Sequence, residues 1–335
     1  MAINVNMFRG KEEVSQDILK YCQSKHDRLN VISYFYNTAT IFLTTIFYYL
    51  NNNKSIVYIT NEDENKIEIL NYINKEKYIY LKDSSQEVND RMIVCSYNRA
   101  LYLEDTYDLV IFDDLGYMPL QDKKSIERLL IKLCDDSGIA ISYSIESVFL
   151  KDDNIYFPMN KNKTPLIEPR VITTRIDINE DLPLAAYEYL NWAIFLNRRT
   201  IIYVPDKVKV LNIYGYMDRL KEKLTENIYY YIRDKKDRTY IKKFLLSDNG
   251  ILITDDYDEF YEHLNNLNVM VFFADDKIYD YKTLVYITSK VERAESLDRG
   301  EVIFLCKEET EEIDKAKSIM RELNRKAWEE GFLKF

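Results

Sequence analysis

Short β-branched or aromatic runs alternate with amphipathic stretches along almost the whole chain. In the first half, runs at 31–35, 55–60, 77–81, 92–95, 108–112 and 139–143 predict strands, and the patterns near 11–24, 38–52, 62–74 and 121–135 predict helices. The second half repeats the rhythm, with strands at 200–204, 227–232, 250–254, 268–273 and 301–306 and helices near 183–196, 206–224, 234–247, 280–293 and 309–330. A strand that returns to a parallel neighbour needs a crossover, usually a helix, so the alternation implies parallel sheets covered on both faces. Two α/β domains follow. The seam falls in 160–183, where Pro165, Pro169 and Pro183 interrupt the pattern, giving a first domain at 1–165, a linker at 166–182 and a second domain at 183–335. The last helix is the best specified: Ile313, Ala316, Met320, Leu323, Ala327 and Trp328 recur at three- and four-residue spacing and require a domain face to cover them.

Composition narrows the class. A chain of 335 residues with 47% hydrophobic positions can build two cores, and Tyr 29 and Phe 15 against Gly 7 and Pro 6 describe an ordered chain without low-complexity segments. The net charge of -10 argues against a nucleic-acid binder that uses its whole surface, and leaves room only for a local basic stripe. Lys235, Lys236, Arg238, Lys242 and Lys243 form such a run, but Asp234 and Asp237 interleave with it, and a solvated helix face is the preferred reading. Tyr229, Tyr230 and Tyr231 offer rings for base stacking, although at least one must point into the core if they lie on a strand.

Cys22, Cys95, Cys134 and Cys306 are scattered singly and read as core residues, with no pair spaced for zinc or thiol exchange. They suit a reducing, cytoplasmic compartment. His26 and His263 are the only histidines, which disfavours histidine-dependent hydrolysis and zinc chemistry. Residues 1–10 lack the apolar core of a signal peptide. From 32 to 50 the chain is uncharged for 19 residues, long enough to raise a membrane span. Ser33, Asn37, Thr38, Thr40, Thr44 and Thr45, with tyrosine in mid-span, favour a buried strand-loop-helix instead, so membrane association is expected only through partners.

The candidate chemistry centres on the run from Asp108 to Asp114, an apolar strand ending in paired carboxylates, as in a strand that delivers acids to a Mg-nucleotide site. The phosphate half of such a site needs G-x-x-x-x-G-K-S/T, whose glycines let backbone N–H groups close on phosphate oxygens. Glycine occurs only at 10, 116, 138, 215, 250, 300 and 331, and Gly10-Lys11 is the sole Gly-Lys pair, so no segment matches.

Several stretches nevertheless carry a resemblance. Tyr286-Ile287-Thr288-Ser289-Lys290-Val291-Glu292-Arg293-Ala294 and Asp298-Arg299-Gly300-Glu301-Val302-Ile303-Phe304 are similar to Q-I-A-G-R-V-G-R-S and P-T-G-E-V-I-F-F. Met320 to Ala327 with Gly331-Phe332-Leu333 resembles M-N-x-x-A followed by G-L-L, and Tyr107 to Leu115 resembles D-L-L-I-I-D-E-V-D. Asn197 to Pro205 looks like the opening of a second domain, and Lys163 to Pro169 resembles an H-P-L-P-V-P-E linker. Together these resemble the ComFA family of superfamily 2 helicases, the ATPases of bacterial DNA uptake. The resemblance covers nearly the whole chain and implies two tandem RecA-like (P-loop NTPase-type) domains, each a mainly parallel sheet flanked by helices.

The departures from that family fall on its chemistry. The phosphate loop maps onto Phe35, Tyr36, Asn37, Thr38, Ala39 and Thr40, where rings replace glycines and no lysine supplies charge. Asp113 keeps the position that ligates a Mg²⁺ water, Asp114 stands one methylene short of the water-orienting glutamate, and Gly116 replaces the final acid. Tyr143-Ser144-Ile145-Glu146 stands for T-A-T-P, and Ile253 to Tyr261 brings new acids where a T-T-T-I-L-E-R-G-V motif is expected. Lys290 and Arg293 hold the positions of the two family arginines that reach across the interdomain cleft. The residues given hold no counterpart of the N-terminal cysteine-rich zinc module seen in many relatives.

The expectation is a helicase-like protein whose catalytic positions Asp113, Asp114, Lys290 and Arg293 and cofactor positions Asn37, Thr38, Ala39 and Thr40 are vestigial, with no metal and no cofactor. On that reading Asp113 and Asp114 are solvated acids at a strand end or a helix cap, and Arg293 belongs to a helix-end or interdomain ion pair. The expected role is a scaffold for single-stranded DNA, or for an active helicase or another competence or DNA-processing protein. Two alternatives stand beside it: an active Mg-ATP-dependent DNA translocase using Thr38 and Thr40, and a plain DNA-binding module.

Overall fold

Hydrophobic strands with no exposed face are what covered parallel sheets require, and that is what the chain builds. A computed structural model describes residues 9–334, except 25, 82–91, 161, 234, 236, 258–265 and 294–298. The chain forms two compact units, Met1–Pro165 with Glu322–Phe335, and Leu166–Arg321.

In the first unit the elements are α1 (Lys11–Cys22), β1 (Arg28–Ile32), α2 (Leu43–Asn51), β2 (Ile56–Thr60), β3 (Ile79–Leu81), β4 (Met92–Cys95), α3 (Tyr97–Ala100), β5 (Tyr107–Asp113), α4 (Lys123–Leu133), β6 (Cys134–Ser144) and β7 (Asn154–Tyr156). Their sheet runs β3-β4-β2-β5-β6-β1-β7, with every pair parallel. Strands β2 and β4 are buried at every residue, and on one face Val57, Ile59, Val110 and Phe112 pack against Ile126, Leu129 and Leu130 of α4.

The second unit contains β8 (Arg170–Thr173), α5 (Leu184–Phe195), β9 (Arg199–Tyr203), α6 (Lys207–Asp218), β10 (Ile228–Tyr231), α7 (Thr239–Leu246), β11 (Gly250–Thr254), β12 (Leu267–Phe272), α8 (Tyr281–Ser289) and β13 (Val302–Cys306). Its sheet, also parallel, runs β10-β11-β9-β12-β13-β8. The last helix, α9 (Glu311–Glu329), begins in the second unit, and its residues from Glu322 onward belong to the first. Ile313, Ala316, Met320, Leu323 and Ala327 are buried as their spacing requires, whereas Trp328 is exposed.

Most predicted elements are present, and the differences have local causes. The stretch 62–74 is not a helix: it holds one 3₁₀ turn, Glu68–Asn71, and a second at Lys75–Lys77, where the Asn74 side chain accepts from the Glu76 N–H. Asparagines that bond their own backbone compete with helix formation there. The expected linker supplies β8, whose two apolar residues, Val171 and Ile172, are too few for the pattern to announce a strand. The strand expected at 31–35 ends at Ile32, and 33–42 forms a loop and the 3₁₀ turn Ala39–Phe42 before α2. Among the described residues no helix is long and apolar enough to cross a membrane.

One buried polar residue pins the sheet of the first unit. Asn30 of β1 is fully buried; its amide donates to the Phe149 carbonyl at 2.9 Å, and its carbonyl accepts from the Val148 and Phe149 N–H groups, both at 2.9 Å, and from the Ser142 hydroxyl at 3.0 Å. Removing the side chain strands these donors and an acceptor away from water. Asn30→Ala is therefore expected to lower stability by about 3 kcal/mol in denaturant unfolding. A loss of under about 0.5 kcal/mol, the size of a surface substitution, would contradict this account.

Candidate functional site

In an open parallel sheet the loops at the carboxyl ends of the strands gather where the strand order reverses, and ligands bind there. In the first unit this edge brings together the exits of β1, β2, β5 and β6. The segment 33–40 leaves β1, Asp113 ends β5, and Tyr143 and Ser144 end β6, which lies between them.

The backbone after β1 keeps a shape suited to glycine but carries a tyrosine. Tyr36 has φ of +66°, in the left-handed region that non-glycine residues enter at a cost, and its N–H donates to the Leu115 carbonyl at 2.8 Å. Loop and acidic strand exit are thereby stitched together. Phe35 is fully buried, Asn37 donates to the Ser33 hydroxyl and the Phe157 carbonyl at 2.7 and 2.9 Å, and the buried Ala39 opens the 3₁₀ turn.

Two threonines then carry a chain of hydrogen bonds. The Lys11 ammonium of α1 donates to Thr40 Oγ1 at 3.1 Å, Thr40 Oγ1 lies 2.6 Å from Thr38 Oγ1, and Thr38 Oγ1 donates to Glu68 Oε2 at 2.6 Å. Each hydroxyl has one proton, so Thr38 gives its proton to Glu68 and Thr40 gives its own to Thr38. An ammonium and a carboxylate thus terminate a chain of two hydroxyls laid across the junction. The expectation that no lysine supplies charge here is corrected: Lys11 does, from a helix that precedes β1. Its Gly10-Lys11 pair was visible in the sequence, but no motif spacing placed it at this loop.

The acidic strand is equally enclosed. Asp113 and Asp114 are only 5% and 6% exposed, so the expectation of solvated acids is also corrected. Both Asp113 oxygens are engaged: Oδ2 accepts from the Tyr58 hydroxyl of β2, and Oδ1 accepts from the Leu115 N–H at 3.0 Å. Burial pushes the Asp113 carboxyl above the usual carboxylate range and the Glu68 charge adds to it, while the Tyr58 hydroxyl and the Leu115 and Gly116 N–H groups pull the other way. The Asp114 N–H is held by the Tyr143 carbonyl at 3.0 Å. The Glu62 carboxyl lies against Gly116, where a Cβ would require that flexible side chain to turn aside. Among the described residues no group of three or more His, Cys, Asp or Glu side chains is placed to hold a metal ion.

Tyr143 fills the space between loop and acid. Its ring is fully buried and edge-on to Phe42, with centroids 5.1 Å apart, and its hydroxyl donates to the Thr38 carbonyl at 3.2 Å. Glu146, at the end of the same motif, pairs with Lys123 at 2.6 Å. A triphosphate at this junction would meet the ring of Tyr143, the carboxylate of Glu68 and a backbone without glycine.

In the second unit Lys290 is buried, its ammonium 4.7 Å from the Tyr286 ring centroid and 5.9 Å from that of Tyr203. Arg293 lies in the 3₁₀ turn Lys290–Arg293, but its side chain falls outside the described residues, as do Asp258, Glu259, Phe260, Tyr261, Ala294 and Asp298 of the sequence motifs, and His263. Asp256 is buried and lies 4.0 Å from Arg233. Burial pushes the thiols of Cys22, Cys95, Cys134 and Cys306 up to about 12, which leaves them protonated and unreactive.

The state of Asp113 gives a pH-dependent test. With its folded-state pKa raised, the protonated group contributes stability below the pKa of the unfolded chain, and that contribution is lost as pH rises through the folded value. Asp113→Asn keeps the size and removes the titration. Its melting temperature is expected to exceed that of the parent chain by a margin that grows from pH 4 to pH 8, at about 2–4 °C for each kcal/mol relieved. A margin that shrinks or reverses at higher pH would mean that the carboxylate is stabilised as an anion.

No protein-family model matches the sequence, and no curated protein matches it. Among solved structures the chain is similar to S. cerevisiae Dbp5 bound to RNA and ADP BeF3, with TM-score 0.50 and 11% identity over 95% of this chain and 92% of that one. It is also similar to a point variant of Dbp5 in the same bound state, with TM-score 0.48 and 12% identity over 96% and 93%. At such identity the likeness concerns fold alone. The chain has an α/β fold of two RecA-like units, each a parallel sheet flanked by helices, as in Dbp5.

Proposed function

We propose that this is a catalytically degenerate helicase-like protein of the ComFA type, which does not hydrolyse nucleotide and acts as a scaffold that binds single-stranded DNA or a protein partner in DNA uptake or processing. The observation that carries the reading is the closed junction at the end of β1, where Lys11, Thr40, Thr38 and Glu68 are bonded to one another and Tyr143 fills the remaining space. Phosphoryl transfer depends on prepositioned charge around the transferred group. Here the cation is already compensated by an internal carboxylate, and Asp113 is committed to Tyr58 and Leu115. Dbp5, of the same fold, is bound to RNA and ADP BeF3, and on the proposed reading this chain shares that frame but not its phosphate site.

The Lys11 contact also favours a second reading, an ATP-dependent DNA translocase with a divergent site. If Glu68 swung away, Lys11, Thr38 and Thr40 would offer a cation and two hydroxyls to phosphate.

A ligand that binds only the folded state raises its melting temperature. Millimolar Mg-ATP is expected to leave the transition unmoved. A shift that disappears in Thr40→Val and Lys11→Ala would establish the translocase reading.

A further inference from the structure

We propose that the β10 edge of the second unit is a binding surface for single-stranded nucleic acid, with bases stacking on a row of tyrosines and phosphates meeting the lysines beside them. This deepens the nucleic-acid arm of the proposed function, but it rests on the second unit alone and does not require the junction of the first to be closed.

Strand β10 is an edge of its sheet and carries Tyr229 and Tyr230, while α6 and α7 flank it with Tyr214 and Tyr240. Ring centroids lie 4.6 Å apart for Tyr214 and Tyr230, 5.5 Å for Tyr230 and Tyr240, and 6.2 Å for Tyr229 and Tyr240. Tyr231 is the inward-facing member of the triplet: it is buried, and its hydroxyl donates to the Lys235 carbonyl. The other three rings of this row are half-buried, and Tyr240 is 42% exposed.

A cation stands over each of three rings: Lys221 at 5.7 Å from Tyr214, Lys235 at 5.1 Å from Tyr230 and Lys243 at 5.7 Å from Tyr240. Two of the nearby acids have local duties. Asp218 pairs with Lys221, and Asp237 caps the Thr239 N–H and hydroxyl at the start of α7. Although the chain as a whole is acidic, residues 218–243 contain nine Lys and Arg against five Asp and Glu.

Lys235 and Lys243 are exposed, and an exposed ammonium over a ring is held weakly and readily exchanged, whereas Lys221 is half-buried and paired with Asp218. An arriving base can take the ring face while the ammonium turns to the phosphate, and such stacking tolerates any base sequence. Bases within a duplex are already stacked and paired, which makes the single strand the matching form.

The test is anisotropy of labelled oligo-dT and oligo-rU, without nucleotide and across a salt series, the two arms separating DNA from RNA. Tyr240→Ala should weaken binding by about 5- to 150-fold and Tyr240→Phe should retain it, with melting temperatures unchanged. Lys235→Gln and Lys243→Gln should each flatten the salt dependence by about 0.7 in log–log slope. Equal affinity in Tyr240→Ala, no binding of either oligonucleotide, equally strong competition by duplex, or displacement by polyglutamate as effective as by unlabelled oligonucleotide would each overturn the proposal. None of these results depends on ATP, so failure here leaves the closed-junction reading standing, and the reverse also holds.

Discussion

The constraint on which the rest depends is the chain of hydrogen bonds that links an ammonium to a carboxylate through two hydroxyls at the end of the first strand. A phosphate-binding loop works because its own backbone and one lysine are left waiting for an anion. In this protein the anion is built in. Glu68 accepts from Thr38, Lys11 donates to Thr40, and the two threonines complete the path, so the polar groups a phosphate would satisfy are satisfied already. A ligand would have to break these bonds and bring its charge beside Glu68, Asp113 and Glu62.

The aromatic residues follow from the same constraint. Where a ligand would otherwise fill the strand exits, the interior must be filled by side chains, because voids cost packing energy. Tyr143 and Phe35 occupy that volume, and Tyr58 satisfies the carboxyl of Asp113. Tyr36 holds a left-handed backbone without being glycine, a conformation that costs free energy and that its surroundings must hold in place. On the proposed reading these strand exits form a core in which the carboxylate is structural.

Much of the fold was legible because parallel strands buried on both faces read as unbroken apolar runs, as in Ile56–Thr60 and Met92–Cys95. The illegible parts were short or polar: β8 has four residues, and the asparagine-rich stretch around Glu68 took turns instead of a helix. At the site, Asp113, Asp114 and the loop 35–40 were found from sequence because each ends or follows a strand. Lys11, Glu68 and Tyr58 were not, since they arrive from a preceding helix, a turn and a neighbouring strand, and only the folded chain sets them beside the loop. The tyrosine row on β10 was half legible: the triplet announced rings, while Tyr214 and Tyr240 join it only through α6 and α7.

The central claim, that the first unit has no place for a triphosphate, is tested most directly by equilibrium dialysis of labelled ATP with Mg²⁺ against the purified chain. The account predicts equal free ATP on both sides up to millimolar concentration. Saturable retention of one ATP per chain, lost in Lys11→Ala, would contradict it.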